Sequence, residues 1–257
     1  MKKVCISALV LLLALLPLCG CGRNYKHLDV PKELKIDDGA LSEDTENLMS
    51  VDESTPLLAA LPEEGLYVYS TDPTVVSGVL IKYDGLLQYF PWRFAPRLAR
   101  PDLFVSDYNG DGQKDIAFTF VSKAGGHVYR ENLHVLLRGE NGFTDNFYTA
   151  EKAVLEAGGH LDVYSDAEKP DTFTAYLDGK DTPFTLPGHG EYLDLYYDEI
   201  QDFTLGDEIT LRIEPGLIFK DEALPVYDVL TYSAHIEFVD GVLTQTQPTI
   251  GIGIPTE

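Results

Sequence analysis

From residue 65 to residue 257 the sequence predicts a mainly β fold, built of antiparallel sheets as a sandwich or barrel-like body, with one short helix in a single domain. Three observations carry that expectation. Short runs such as GLYVYST, SGVLIKY, LLQYF, DIAFTFVS and ENLHVLLR alternate apolar and polar residues and are rich in Tyr, Phe, Val, Ile and Thr. Dipeptides suited to tight turns, Asp84-Gly85, Asn141-Gly142, Asp178-Gly179, Gly206-Asp207 and Asp240-Gly241, fall between neighbouring runs, as hairpin connections do. Only Ala150 to Ala157 has the spacing of a helix, with Thr149 as its N-cap, Glu151 and Lys152 outward, and Gly158-Gly159 as the stop.

The elements follow in chain order. Residues 1–20 open with two lysines and continue as an apolar, Leu-rich run that is short for the roughly 20 residues a spanning helix needs, so they read as a secretory leader. Its end, Leu18-Cys19-Gly20-Cys21, resembles the lipobox of bacterial lipoproteins. That resemblance implies cleavage before Cys21, a lipid on its sulfur, and a chain anchored on the extracytoplasmic face of the cell membrane. Cys5 and Cys19 would leave with the leader, so no disulfide is expected in the mature chain.

Residues 21–64 are polar and acidic, as in KIDDGALSEDTENLMSVDESTP, with few aromatics and no sustained period. Such a composition buries little surface and predicts a flexible tether, with a short helix near Leu57 to Leu61. Beyond ENLHVLLR and the helix, the strands expected are LDVYSD, TFTAYL, TPFTL, YLDLYY, EITLRI, VYDVLTYSAHIEFV and VLTQTQPTI.

Charge narrows the partners. The chain carries 19 basic and 42 acidic residues, a net charge of −23, and loss of Lys2 and Lys3 with the leader leaves 17 against 42. Binding to nucleic acid is not expected of such a chain, nor is electrostatic docking on anionic lipid.

One loop carries the strongest chemical signal. In SDYNGDGQKDIAF, Asp107, Asn109 and Asp111 stand at alternate positions, followed by Gly112, Gln113 and Asp115. Calcium takes six to eight oxygens, and this spacing offers three early side chains, the carbonyl of Gln113 and a late carboxylate. The twelfth position is Phe118 rather than a bidentate Glu, and a strand follows rather than a helix, so the loop is no EF-hand. The pattern DYNGDGQKD followed by IAF resembles the calcium loops of FG-GAP and VCBS-type repeats, and with the lipobox it is similar to Firmicutes lipoproteins carrying one such loop. The resemblance implies Ca2+ bound at residues 107–115, with a dissociation constant on the order of 0.1 to 1 mM. No second copy of the loop occurs, so a propeller is not expected.

Other groupings are weaker. YFPWRFAPRLARPDLF holds the only tryptophan, and Trp92, Arg93 and Arg97 form a candidate surface for a glycan or an acidic protein. His127 and Glu131, after the loop, are candidates for a pocket near the metal. Asp194, Asp198, Glu199, Asp202 and Asp207 cluster among tyrosines, as a glycosidase-like pair of carboxylates would require. The chain has no zinc motif, no nucleophile elbow and no mature thiol. The expectation is therefore a non-enzymatic binding module for a wall component, glycan or protein, with an exported carboxylate-dependent hydrolase as the alternative.

Overall fold

A computed structural model describes residues 25–49, 55–72, 78–93, 100–220 and 222–253. The mainly β expectation holds, with sixteen strands and one α-helix among the described residues, and the sheets stack in layers without closing into a barrel. The leader and Cys21 lie outside the described residues.

The first layer is a five-stranded sheet in the order β1-β5-β4-β3-β2, formed by β1 (Lys26–Leu28), β2 (Leu57–Leu61), β3 (Leu66–Ser70), β4 (Val79–Tyr83) and β5 (Leu86–Phe90). Its central strands are buried on both faces. Val79, Ile81 and Tyr83 alternate with Leu80 and Lys82, and all five side chains are shielded from water. The inner face, with Val68, Ile81, Leu86 and Phe90, packs against Ile116, Phe118, Leu136 and Phe143 of the next layer.

The outer face corrects the expected tether. Tyr69, Leu80 and Leu87 are fully buried there because Tyr25, Val30, Leu34, Ile36, Leu41 and Leu48 lie over them. β1 also pairs in parallel with β5, and Leu57 to Leu61 form an edge strand rather than a helix. The segment looked disordered because its apolar residues are sparse and aperiodic, yet each covers one position of a sheet face that would otherwise be wet. Burying a leucine of that kind contributes about 1.5–3 kcal/mol. Lys82 makes the dependence sharper: it points outward from a central strand, is 4% exposed, and pairs with Glu43 beneath the rings of Tyr25 and Tyr67. The segment thus shields the ammonium of Lys82 and also supplies, in Glu43, the carboxylate that pairs with it.

The second layer is eight-stranded. β6 (Asp102–Ser106), β7 (Asp115–Gly125) and β8 (Val128–Gly139) form a meander, and β9 (Gly142–Tyr148) returns along β8. β13 (Tyr192–Thr204), β14 (Ile209–Phe219), β15 (Leu230–Val239) and β16 (Val242–Ile252) extend the sheet, with β13 joined in parallel to the start of β8. The third layer holds α1 (Ala150–His160) and a three-stranded sheet of β10 (Leu161–Asp166), β11 (Lys169–Leu177) and β12 (Lys180–Thr185). Its core joins Ala153, Ala157, Phe173 and Phe184 to Leu133, Val135, Leu211 and Phe219. Thr149 caps α1 as expected, its side chain accepting from Lys152 N at 3.1 Å, though the helix continues through Gly158-Gly159 to His160.

Deleting residues 25–49 from the full chain is expected to abolish the cooperative melt or lower its midpoint by more than about 10 °C. An unchanged melting curve would return the segment to the role of a tether.

Candidate functional site

The loop of residues 107–114 joins β6 to β7, whose terminal residues Ser106 and Asp115 face each other across the hairpin. Asp107 is its hub. One carboxylate oxygen accepts the N–H groups of Gly110 and Asp111 at 2.8 and 3.1 Å, and the other accepts Gly112 N–H at 2.8 Å. Curling a chain so tightly around one side chain needs left-handed backbone, and Gly110 and Gly112 supply it at φ 74° and 83°. Asn109 Oδ1 accepts Asp111 N–H at 3.0 Å, and Asp111 Oδ1 accepts Gln113 N–H at 2.8 Å. The Gln113 amide and the Asn109 side chain hold the Asp111 carboxyl below its ordinary value.

Asp115 plays a different part from the one expected. It is fully buried, and its two oxygens accept Tyr108 N–H at 3.1 Å and Arg138 N–H at 2.7 Å. One carboxylate thus ties the loop to its own hairpin and to the end of β8. Burial pushes its pKa up, and the two N–H groups oppose that shift by stabilising the ionised form. The loop is pinned from a second side as well. Tyr108 donates its hydroxyl to Gly206 O at 2.8 Å, and Ser106 donates to Asp207 at 3.2 Å, so the β13–β14 turn backs the β6–β7 hairpin.

Whether these residues suit a cation follows from the donors left facing outward. Asp107, Asn109, Asp111 and Gln113 are exposed, all carry oxygen donors, and hard oxygen donors suit calcium. Among the described residues, however, no group of three or more His, Cys, Asp or Glu side chains is arranged to hold a metal ion. The Asp115 carboxylate is held in the core by two backbone donors, so Asp107 and Asp111 are the exposed carboxylates of the loop. The residues therefore fit an ion held on the outer rim by Asp107, Asn109, Asp111 and the Gln113 carbonyl, with Asp115 as the strut behind them.

The other candidates separate. Trp92 is buried, not a surface anchor: its indole N–H donates to Asp145 at 2.8 Å and its ring stacks on His134 at 3.9 Å. Asp145, itself half-buried, also lies 2.8 Å from His134 Nδ1, so its carboxylate bridges the buried tryptophan and histidine. Arg93 is exposed, and Arg97 lies outside the described residues. Glu131 is buried far from the loop, seven residues along β8 from Arg138, or about 23 Å at strand spacing. It accepts Phe203 N–H and the Tyr129 hydroxyl, and burial raises its pKa.

The described members of the acidic cluster each have a separate partner. Asp202 grips Arg212, Asp194 accepts the N–H of Leu195, and Asp207 belongs to the loop's support. The side chains of Asp198 and Glu199 lie outside those described. A feature the sequence reading missed is the group around the loop's flank, where Lys114 pairs with Glu64 and Arg138 with Asp84. These pairs line a shallow cleft of about 380 Å³ with Tyr83 and Gln113. Its partners sit 50 or more residues apart in sequence, so no local pattern announces them.

Asp115→Ala is expected to cost about 2–5 kcal/mol, because it strands two backbone N–H groups at about 1–3 kcal/mol each. Urea unfolding of the full chain measures this, and a loss below about 1 kcal/mol would show that the carboxylate is no strut. No family model, no curated protein and no solved structure matches the chain.

Proposed function

We propose that the chain is a lipid-anchored lipoprotein of the extracytoplasmic membrane face, whose β-rich body is a non-enzymatic binding module for a wall component, glycan or protein. Calcium, on this reading, is a structural ion on the loop of residues 107–115. The observation that supports it is the hub at Asp107: three backbone N–H groups gather on its carboxylate and curl the loop, on which Asp107, Asn109 and Asp111 are all exposed. Local turns alone need only some of this pattern. Asp111 adds an exposed carboxylate whose hydrogen bonds all lie within its own loop.

Weak binding fits a surface exposed to calcium-rich fluid. Four protein oxygens with water completing the shell sit at the low end of calcium's coordination range, as in extracellular modules of sub-millimolar affinity. The non-enzymatic reading rests on the sequence, which carries no zinc motif and no nucleophile elbow. Anchorage rests on the Leu18-Cys19-Gly20-Cys21 sequence.

Two measurements test this. For a dissociation constant of about 0.1 mM, about 2 mM calcium stabilises by about 1.8 kcal/mol, or about 4 to 7 °C in melting temperature for a domain of this size. Asp111→Ala should leave the melt in chelator within about 0.5 kcal/mol of the parent, because its side chain is exposed, and should remove the calcium shift. A shift that survives the substitution, or none in the parent, refutes the calcium assignment. Separately, cells fed a labelled fatty acid are expected to incorporate it into the parent chain and not into Cys21→Ala; equal labelling of the two, or none in the parent, would rule out the lipid anchor at this cysteine.

A further inference from the structure

A cleft of about 650 Å³ opens at the end of β8 opposite the Asp107 loop. It forms where the eight-stranded sheet splits. β13 meets β8 in parallel over two residue pairs only, Ile200 with Tyr129 and Gln201 with Arg130, and its register with β14 breaks between Tyr196 and Ile200. The strands part there, and the glycine-containing tip of the β7–β8 hairpin and the segment before β15 close the sides.

Two of the lining side chains are tyrosines held from behind. The Tyr129 hydroxyl donates to Glu131 at 2.7 Å, and Glu131 is itself fixed by Phe203 N–H at 3.0 Å. Tyr227 lies flat on β14 at Gly216, where a Cβ would come within 2.6 Å of the tyrosine ring. Both rings are therefore placed by the backbone before any ligand arrives. Two further lining groups are carboxylates. Glu214 is steadied by Arg212 at 2.7 Å, and Asp228 is exposed at φ 61°, in the left-handed region that Asp and Asn tolerate better than other side chains. No lysine or arginine is among the described residues that line the cleft.

Arg212 is shared between Glu214 and Asp202, two carboxylates against one guanidinium, and Asp228 adds a further negative charge in a lining that also holds His127; aromatic rings beside such an excess of carboxylates make a site for an organic cation. Ring quadrupoles attract an ammonium group within about 6 Å of the centroid, the carboxylates supply counter-charge, and a chain of net charge −23 concentrates cations around itself. A neutral sugar gains the rings and the acceptors but nothing from the field. We propose that this cleft binds a small organic cation, recognised through its ammonium group by Tyr129, Tyr227, Glu214 and Asp228. The proposal rests on the binding-module reading for its biological sense and gives the chemistry of the partner; it does not depend on calcium at the loop.

The test is isothermal titration of the full chain in mild detergent with glucosamine, choline and spermidine, alongside N-acetylglucosamine as the uncharged counterpart of glucosamine. At least one cation should bind saturably, and N-acetylglucosamine should not. Asp228→Asn keeps the left-handed backbone and removes one charge, so it should weaken the cation at least about threefold with the melting temperature unchanged. Tyr227→Phe, which keeps the ring, should retain binding. Raising salt from about 50 to about 500 mM should weaken binding as well. Equal binding of glucosamine and N-acetylglucosamine would make the cleft a polyol site and overturn the proposal while leaving the binding-module reading intact. Absence of saturable binding for all three cations up to about 10 mM would also overturn it, as would an Asp228→Asn variant of unchanged affinity. Running each titration in calcium and in chelator separates these outcomes from failure of the loop assignment.

Discussion

A carboxylate with no access to water organises the candidate site. Asp115 begins β7, and its two oxygens reach the N–H of Tyr108 in the loop and the N–H of Arg138 on β8. Three chain segments are thereby fixed by one side chain. Burying an ionised group is costly, and it is tolerated only where its hydrogen bonds are met. The two backbone donors are those that the hairpin loop and the end of a strand would otherwise leave unpaired. The constraint is reciprocal: the loop's shape satisfies Asp115, and Asp115 holds that shape. Asp107 repeats the arrangement on the exposed side with three further N–H groups. The loop can then present outward oxygens without relying on a core of its own.

The layered architecture serves the same end. The second layer lies between two cores, with Phe118 and Leu136 facing the five-stranded sheet while Ala117 and Val135 face the helix and the third layer. That alternation buries residues 115–121 of β7 and residues 133–136 of β8 on both faces. The loop grows from their ends, so it stands on rigid elements, while the cleft at Tyr129 opens where β8 changes partners. The two candidate sites thus lie at opposite ends of one strand, in a sheet that is braced in the middle and split at one end.

How much of this was legible in the sequence depended on the range of the determining interaction. Thr149 capping α1 and the Asp-Gly turns at residues 84–85, 178–179 and 240–241, where both residues have positive φ, are settled within a few residues and read correctly. Gly142 shows the limit. It resembles a turn residue but begins β9, and its lack of a side chain matters because a Cβ would lie 2.6 Å from Leu28 and 2.8 Å from Gln88. Trp92 could be read either as core or as a surface anchor because its partners, His134 and Asp145, lie 42 and 53 residues away. The cover formed by residues 25–49 was invisible for the same reason: what orders it is the outer face of strands that come later. In the loop, the residue types and spacing were legible, whereas the turning of Asp115 into the core depended on Arg138, 23 residues on.

The central claim is that the loop is held in shape by its own backbone donors and completed by an ion on its outer rim. Amide hydrogen exchange in chelator and in calcium tests it most directly. Tyr108 and Arg138, bound to the buried Asp115, are predicted to be protected under both conditions, while Gly110, Asp111, Gly112 and Gln113 gain protection only with calcium. Rapid exchange at Tyr108 and Arg138 in chelator, or identical exchange of the four outer amides under both conditions, would contradict it.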